Sequence, residues 1–502
     1  MKLFVDIIPL FVAVPMAGAF LIALVARKIK WLPALITNII TIGLVFVSFF
    51  AVKLINIHKV LVYDVGAWKP PMGIGMVLDG FTVFMLTTVN LAAFFVAIYS
   101  INYVERFTSK WKFYTLFLFM IAGANGVVIT GDIFNLFVFL EIASIASCSL
   151  IAFGTEKHDL EAAFKYAVMS GVGSLFILLS IVLLYSYTST LNMADISNVL
   201  AQKGPNNIIL MISALLIMGF GLKAGLVPFH GCLPDAYTSA PAPVSAMLAG
   251  AITKSLGLYA IFRIFYNVIG MNQALSSIFM FFGALSMIVG VILAIGQWDF
   301  KRLLAYHSIS QMGYIVMGIG LGTPLGILGG LFHLFNHSVF KTLLFLNSGS
   351  IEYATGKRDL QKMGGLSEQM PVTSGTCLAA SMAISGIPPF NGFWSKFIII
   401  IAAVQAGRYG YAFLAVLASI LTLASFTKVM KYAFFGKLKD GANSVKEAPF
   451  LIKLSMTSLA VICITGGILL APGVYEHFLK EAVDVILEGT KYSSVVLQAV
   501  LK

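Results

Sequence analysis

Residues 222–236, LKAGLVPFHGCLPDA, and residues 383–397, AISGIPPFNGFWSKF, decide how this chain folds. Each places prolines, Pro228 in the first and Pro388 and Pro389 in the second, inside an apolar stretch long enough to cross a bilayer. Proline lacks the N–H that the helical ladder needs and collides with the preceding turn, so each span is expected to break there. Each break has a lysine close by in sequence, Lys223 before the first and Lys396 after the second. Five spans separate the two breaks, and an odd number reverses the second unit relative to the first. Broken helices at matching positions of inverted repeats are the strongest sequence pointer to an ion site in a transporter.

Working outward, apolar runs recur along all 502 residues, of which 59% are hydrophobic and only 11% charged. A soluble chain of this size would carry about a quarter charged residues. The expected fold is therefore an all-α polytopic membrane protein. Fourteen transmembrane helices are expected, near 4–26, 33–55, 80–101, 113–130, 132–153, 162–187, 208–239 (interrupted), 243–265, 275–296, 302–321, 325–350, 371–400 (interrupted), 409–434 and 452–472. The first run, MKLFVDIIPLFVAVPMAGAFLIALVARK, reads as a retained span and not a cleaved signal. In the 56–79 loop, VLVYDV followed by Pro70, Pro71, Gly73 and Gly75 predicts a β-hairpin lid. Residues beyond about 474 read as an amphipathic tail, at the interface or forming a partial span.

The net charge of +12 does not require nucleic acid, because the cations sit in short loops between spans. With the N-terminus outside, the inside loops hold the clusters Arg27/Lys28/Lys30, Arg106/Lys110/Lys112, Lys157/Lys165, Lys301/Arg302, Lys357/Arg358/Lys362 and, between 428 and 453, a group that includes Lys439. The outside loops and tail, with Lys59, Lys203, Arg263, Arg408 and Lys502 among them, hold about half as many, so both termini are expected outside, in the cell membrane of a prokaryote. Cys148, Cys232, Cys377 and Cys463 are scattered, with no metal or disulfide spacing, and no metal or cofactor is expected.

The informative residues are charges within spans. An ionised side chain at the bilayer centre costs roughly 2.5–3.5 kcal/mol on insertion scales, so such groups face inward, pair, or line a hydrated path. Glu141 lies near the middle of its span, and Lys223 is its expected partner. Paired, that lysine stays charged; released, it can give up its proton. Lys254, with Gly250 and Gly257 clearing space beside it for close helix packing or for water, is the expected central relay group. His333, His337 and Lys341 recur every four residues on one helical face. Histidine titrates near neutrality and suits a proton wire, whereas a metal site would need an acidic ligand that is not there. Lys396 is expected towards the outer half as the terminal group, with snorkelling as the rival. His230 and Asp235 are a candidate inner mouth, although Asp235 would equally serve as a helix cap.

The runs TGDIFNLFVFLE (130–141), LKAGLVPFHGCLPDAY with SAPAPVSAMLAGAITK (222–254), and HLFNHSVFKTLLFLNSGSI (333–351) resemble the antiporter-like subunits. These comprise Mrp-type cation/proton antiporter subunits, related subunits of membrane-bound hydrogenases, and those of the proton-pumping arm of respiratory complex I. LYSYTSTLNMADIS (184–197) looks most like the D subunit of Mrp and its hydrogenase counterpart. The resemblance implies fourteen helices, with three N-terminal ones in 1–112, inverted five-helix repeats in 113–265 and 275–434, and a last helix and tail in 435–502. It puts the family's ion pair on Glu141 and Lys223, its central lysine on Lys254, its connecting histidines on His333 and His337, and its terminal lysine on Lys396. It also implies a non-redox subunit moving H⁺, with Na⁺ as the other candidate ion, beside antiporter-like and small membrane subunits and, in some hosts, a redox module. No catalytic site is expected, although the host could be a redox-driven translocase of the NADH dehydrogenase or hydrogenase type. The rival readings are a stand-alone secondary carrier and a redox-active membrane oxidoreductase subunit. The second is disfavoured by the lack of clustered cysteines, a nucleotide loop and a soluble domain.

Overall fold

The computed structural model describes residues 2–25, 29–204, 206–437 and 445–501. Arg27, Lys28, Lys439 and Lys502, which bear on the orientation read from the sequence, lie outside the described residues. The chain is a mostly helical membrane protein, and ten of the described helices are long and apolar enough to cross a bilayer.

Helices α1 (Leu10–Leu24) and α2 (Leu32–His58) lead into the hairpin foreseen in the 56–79 loop. Its strands β1 (Leu61–Asp64) and β2 (Gly75–Leu78) pair antiparallel, with Leu61 opposite Leu78 and Asp64 opposite Gly75. Four long helices follow: α3 (Gly80–Tyr103), α4 (Lys110–Ile129), α5 (Ile133–Ile151) and α6 (Lys157–Thr188). Starts are set by side chains that satisfy free N–H groups. Asp79 accepts from the Thr82 N–H at 2.8 Å to cap α3, and Asp132 accepts from that of Asn135 at 2.7 Å to cap α5. A short amphipathic helix, α7 (Met193–Lys203), follows, which hydropathy alone did not separate.

The first broken element consists of α8 (Asn207–Ala224) and α9 (Leu233–Ser239), with Pro228 between them. Helix α8 stops at Gly225, whose φ of 68° ends the ladder in a left-handed cap. Then come α10 (Ala242–Val268), α11 (Gln273–Ile295), α12 (Phe300–Gly320) and α13 (Pro324–Thr355). The second broken element is α14 (Pro371–Ser385) and α15 (Asn391–Gln405), stopped in the same way at Gly386, φ 79°, ahead of Pro388 and Pro389. Helices α16 (Tyr409–Phe435) and α17 (Phe450–Leu470) complete the apolar set. The tail forms α18 (Val474–Leu487) and α19 (Tyr492–Leu501). Helix α18 buries Leu479, Ala482, Val483 and Ile486, and it packs on α2, α3 and α13.

Position in the bundle follows from the faces each sequence offers. Helix α10 is wholly enclosed, and α13 touches α3, α10, α12, α14, α15, α17 and α18. The outer helices turn large apolar side chains outward, among them Phe46, Leu175, Phe281 and Phe413, as a lipid-facing surface requires. Helices α11 and α12 meet backbone to backbone: a Cβ on Gly283 would lie 2.6 Å from the Met317 nitrogen, and one on Gly313 2.4 Å from the Gly283 carbonyl oxygen.

Two expectations are corrected. Arg263, placed above in an outside loop, is buried within α10. Lys301, assigned to an inside loop, is also buried; its ammonium lies 2.7 Å from Glu352 and 3.2 Å from the Ala240 carbonyl. A buried cation is tolerated when a carboxylate answers it, and both of these are answered.

Candidate functional site

In the first half, Lys223 occupies the last turn of α8, immediately before the break. Its ammonium donates to Ser170 Oγ at 2.6 Å and Ser144 Oγ at 2.9 Å, and it stands 3.6 Å from Glu141 Oε1. The Ser174 hydroxyl donates to the same carboxylate. Three hydroxyls therefore support the expected pair, one from α5 and two from α6. The partners are not equally enclosed: the Lys223 side chain is 3% exposed and that of Glu141 32%. Glu141 reaches the flank of the bundle.

The centre is built from α10 and α13. Lys254 is fully buried and donates to the Ala249 carbonyl on its own helix. Helix α10 is not α-helical here: it is wound as π-helix over Leu248–Ile252 and Lys254–Tyr259, and again over Arg263–Val268. Such widened turns are rare and concentrate at functional sites. Gly250 and Gly257 do not hold open space for the lysine. A Cβ on Gly250 would meet Thr342 at 2.1 Å, and one on Gly257 would meet the Ala224 backbone at 2.5 Å. The small residues serve close packing of α10 against α13 and α8.

His333, His337 and Lys341 are all fully buried on α13. The two imidazoles lie parallel, 6.3 Å between centroids. His333 Nδ1 pairs with Ser395 Oγ at 2.9 Å, and Nε2 with Gln311 Oε1 at 3.1 Å. Both ring nitrogens of His337 and the Lys341 ammonium have no hydrogen-bond partner among the described residues. Lys341 stands 5.8 Å from the centroid of the Phe345 ring.

Lys396 lies in α15, past the second break, and does not snorkel. It is buried, 4.6 Å from the centroid of the Tyr314 ring, and donates at 2.7 Å to the Ile384 carbonyl. Ile384 belongs to the last turn of α14, whose carbonyls lose their helical partners at the break. Tyr314 in turn lies 5.5 Å from the His333 ring. The second break thus supplies an acceptor for Lys396, and one aromatic ring joins that lysine to the histidine face.

The candidate mouth is only partly assembled. Asp235 lines a polar cleft of about 490 Å³ together with Glu161, Lys165, Asp299, Arg302 and Arg358. It pairs with Lys165 at 3.2 Å and Arg302 at 3.1 Å. It caps nothing, since Cys232 holds the position before α9 without a side-chain bond. His230 is partly buried in the break and does not line that cleft among the described residues.

Sequence reasoning missed two buried groups. Arg263 donates to Asp79 Oδ1 at 2.8 Å, to Thr82 Oγ1 at 3.1 Å and to the Tyr259 hydroxyl at 3.1 Å. Its position inside an apolar run was the available signal. His307 on α12 is fully buried, with Nε2 2.8 Å from Ser425 Oγ of α16. It was hidden because α12 is polar along much of its length.

This geometry can be set beside known proteins. Residues 130–422 match the family model described as NADH:quinone oxidoreductase/Mrp antiporter, transmembrane. The chain is 33% identical to the Na(+)/H(+) antiporter D subunit of Alkalihalophilus pseudofirmus over 482 residues, covering 96% of this chain and 97% of that protein. It is 35% identical to the NADH-quinone oxidoreductase N subunit of Desulforudis audaxviator over 415 residues, or 80% and 82% of the two chains. Among solved structures, a chain of the Mrp complex from Dietzia sp. DQ12-45-1b superposes with a TM-score of 0.91 at 28% identity, over the full length of both. A chain of the membrane-bound sulfane sulfur reductase, an archaeal respiratory membrane complex, gives 0.90 at 30% identity, covering 98% of this chain and all of that one. This chain belongs to the NADH:quinone oxidoreductase/Mrp antiporter transmembrane family.

Proposed function

We propose that this chain is the ion-translocating, non-redox subunit of a multi-subunit membrane complex. Its relay is Glu141–Lys223, Lys254, the His337 and His333 face with Lys341, and Lys396. The observation that carries the proposal is the line of buried titratable side chains, of which Lys254, His333 and Lys396 meet hydroxyl, amide or carbonyl groups and, among the described residues, no carboxylate. Protons enter by the cleft at Asp235 beside the first break and pass Lys223 and Lys254. They then cross the histidine face and leave by Lys396. Na⁺ is the alternative coupled ion, in keeping with the antiporter name borne by one relative. Partners are other membrane subunits of the same complex, in keeping with the Mrp and sulfane sulfur reductase assemblies whose chains share the fold.

In this reading fourteen spans form two inverted five-helix repeats, 113–265 and 275–434, each with one broken helix. Residues 1–112 precede them, and 435–502 supply the last helix and tail. Both termini face outside, in the cell membrane of a prokaryote. The matched stops at Gly225 and Gly386 support the repeat. The partly exposed Glu141 supports a pair that opens when charge moves in a neighbouring subunit. The test is transport by the assembled complex in membrane vesicles. Glu141→Ala and Lys223→Ala are each expected to abolish it, and unchanged transport in both would sink the proposal.

A further inference from the structure

Of the buried basic side chains outside this relay, His307 is the one with no carboxylate within salt-bridge distance among the described residues. His307 lies in the second turn of α12 and is fully enclosed. Its Nε2 meets Ser425 Oγ at 2.8 Å, and its ring packs on Phe426, 4.8 Å between centroids. Its Nδ1 has no hydrogen-bond partner among the described residues. One turn further along the same face is Gln311, whose Oε1 holds His333 while its Nε2 is also unpartnered. The Lys341 ammonium, close enough to act electrostatically on His307, and both His337 ring nitrogens are likewise without hydrogen-bond partners among the described residues. Buried polar atoms left without a protein partner are ordinarily satisfied by water, so these groups outline a gap that water would fill.

On its other side His307 leads towards the surface. Ser425 and Lys428 are one turn apart on α16. The Lys428 side chain is partly exposed, and its ammonium donates at 2.6 and 2.7 Å to the Ile295 and Gln297 carbonyls at the end of α11. Those carbonyls, Lys428 and the first turn of α12 lie at the end of the bundle that carries Arg302 and Arg358. A polar string thus runs from that basic end through Ser425 and His307 to the gap beside Lys341 and Gln311. It touches neither Glu141 nor Lys223.

We propose that His307 is a proton-relay residue that joins the buried series of the second half to the basic end of the bundle through Ser425, separately from the Glu141–Lys223 pair. An imidazole suits the task because it takes a proton at one nitrogen and releases another from the opposite one. Here Nδ1 faces the gap and Nε2 faces the serine. In a transfer from the serine side, the Ser425 hydroxyl passes its proton to Nε2 while taking one from water at the basic end, and Nδ1 gives one to water in the gap; the ring ends neutral in the other tautomer and resets by rotation. The charged groups near enough to act on it electrostatically are Lys341 on α13, Lys396 on α15 and Lys428 on α16. This inference rests on the proposed function.

The deciding substitution is His307→Gln, because the amide can keep the bond to Ser425 but cannot carry a proton. Transport would be measured across a pH series in vesicles bearing the complete host complex, with subunit content checked by immunoblot. His307→Gln is expected to assemble at the wild-type level, to lower transport by about tenfold, and to flatten its pH profile near neutrality. Transport within about twofold of wild type, with an unchanged profile, would overturn the inference. Should His307→Gln fail to assemble, Ser425→Ala decides: a several-fold loss supports the route and an unchanged rate removes it. If Glu141→Ala and Lys223→Ala also left transport intact, the proposed function itself would fall. Their loss of transport beside an unaffected His307→Gln would remove only this branch.

Discussion

At the scale of single residues the buried cations other than Lys223, which meets both hydroxyls and Glu141, fall into two chemical kinds. Arg263 and Lys301 have carboxylates within salt-bridge distance, Asp79 and Glu352, whereas among the described residues Lys254 and Lys396 donate only to backbone carbonyls and Lys341 meets no hydrogen-bond acceptor. An arginine keeps its charge under all ordinary conditions and forms a rigid fork, which suits a permanent structural pair. A lysine can surrender its proton when desolvated, which suits transfer. Two expectations follow. Lys254→Arg preserves the charge but not the ability to lose it, so the complex is expected to assemble normally and lose transport in a vesicle assay. Arg263→Met leaves Asp79 buried and unpaired, and should destabilise the chain by about 3–5 kcal/mol, measured as a fall in the thermal midpoint in detergent. Adding Asp79→Asn should recover part of that loss. The burial of the proposed relay lysines was legible in the sequence because each interrupts an apolar run. Arg263 was misread because it lies near the end of its span, where a snorkelling cation is unremarkable, and its partner Asp79 looked like a loop residue.

At the scale of elements, the two breaks were readable from their prolines, and both helices do end where the chain turns left-handed at a glycine. The π-helical winding of α10 was not readable. A π turn buries the same apolar residues as an α turn, so hydropathy carries no trace of it. Its consequence is local: Lys254 begins a widened turn and bonds back to a carbonyl five residues earlier instead of presenting its ammonium to α8. The seam between α10 and α8 at Gly257 gives a prediction at this scale. Gly257→Leu must push α10 off the Ala224 backbone, at a cost of about 1–3 kcal/mol or more. Thermal unfolding in detergent would register it, and a neutral result would mean that the two helices are not in close contact.

At the scale of the whole molecule, the tail acts as a strap. Asn267 of α10 donates to the Val485 and Gly489 carbonyls, and Lys59 meets Glu481 at 2.5 Å. The sequence left this segment open between an interfacial helix and a partial span, because an amphipathic pattern says that one face is covered but not by what. Glu488, beside this strap, has its carboxyl pushed above the usual range, chiefly by burial and then by Asp79, Asp484 and Glu481. A raised carboxyl favours the folded state at low pH and loses that advantage as pH rises through its folded value. Glu488→Gln should therefore stabilise the chain at neutral pH, by less than about 1 kcal/mol after solvent screening, and converge with wild type in mild acid. Thermal midpoints at two pH values would check this; equal midpoints at neutral pH would count against the burial of that carboxyl.

The glycine seam between α11 and α12 has a mechanical meaning. Where glycines bring the two backbones into direct contact, sideways movement of one helix against the other meets close-packed atoms, so the pair is expected to move as one unit. His307 and Gln311 ride on that unit, while His333, Lys396 and Ser425 belong to α13, α15 and α16. Under the proposed function the pair would be the fixed part of the second half, and the links placed to make and break are those bridging to it: His307 to Ser425, and Gln311 to His333.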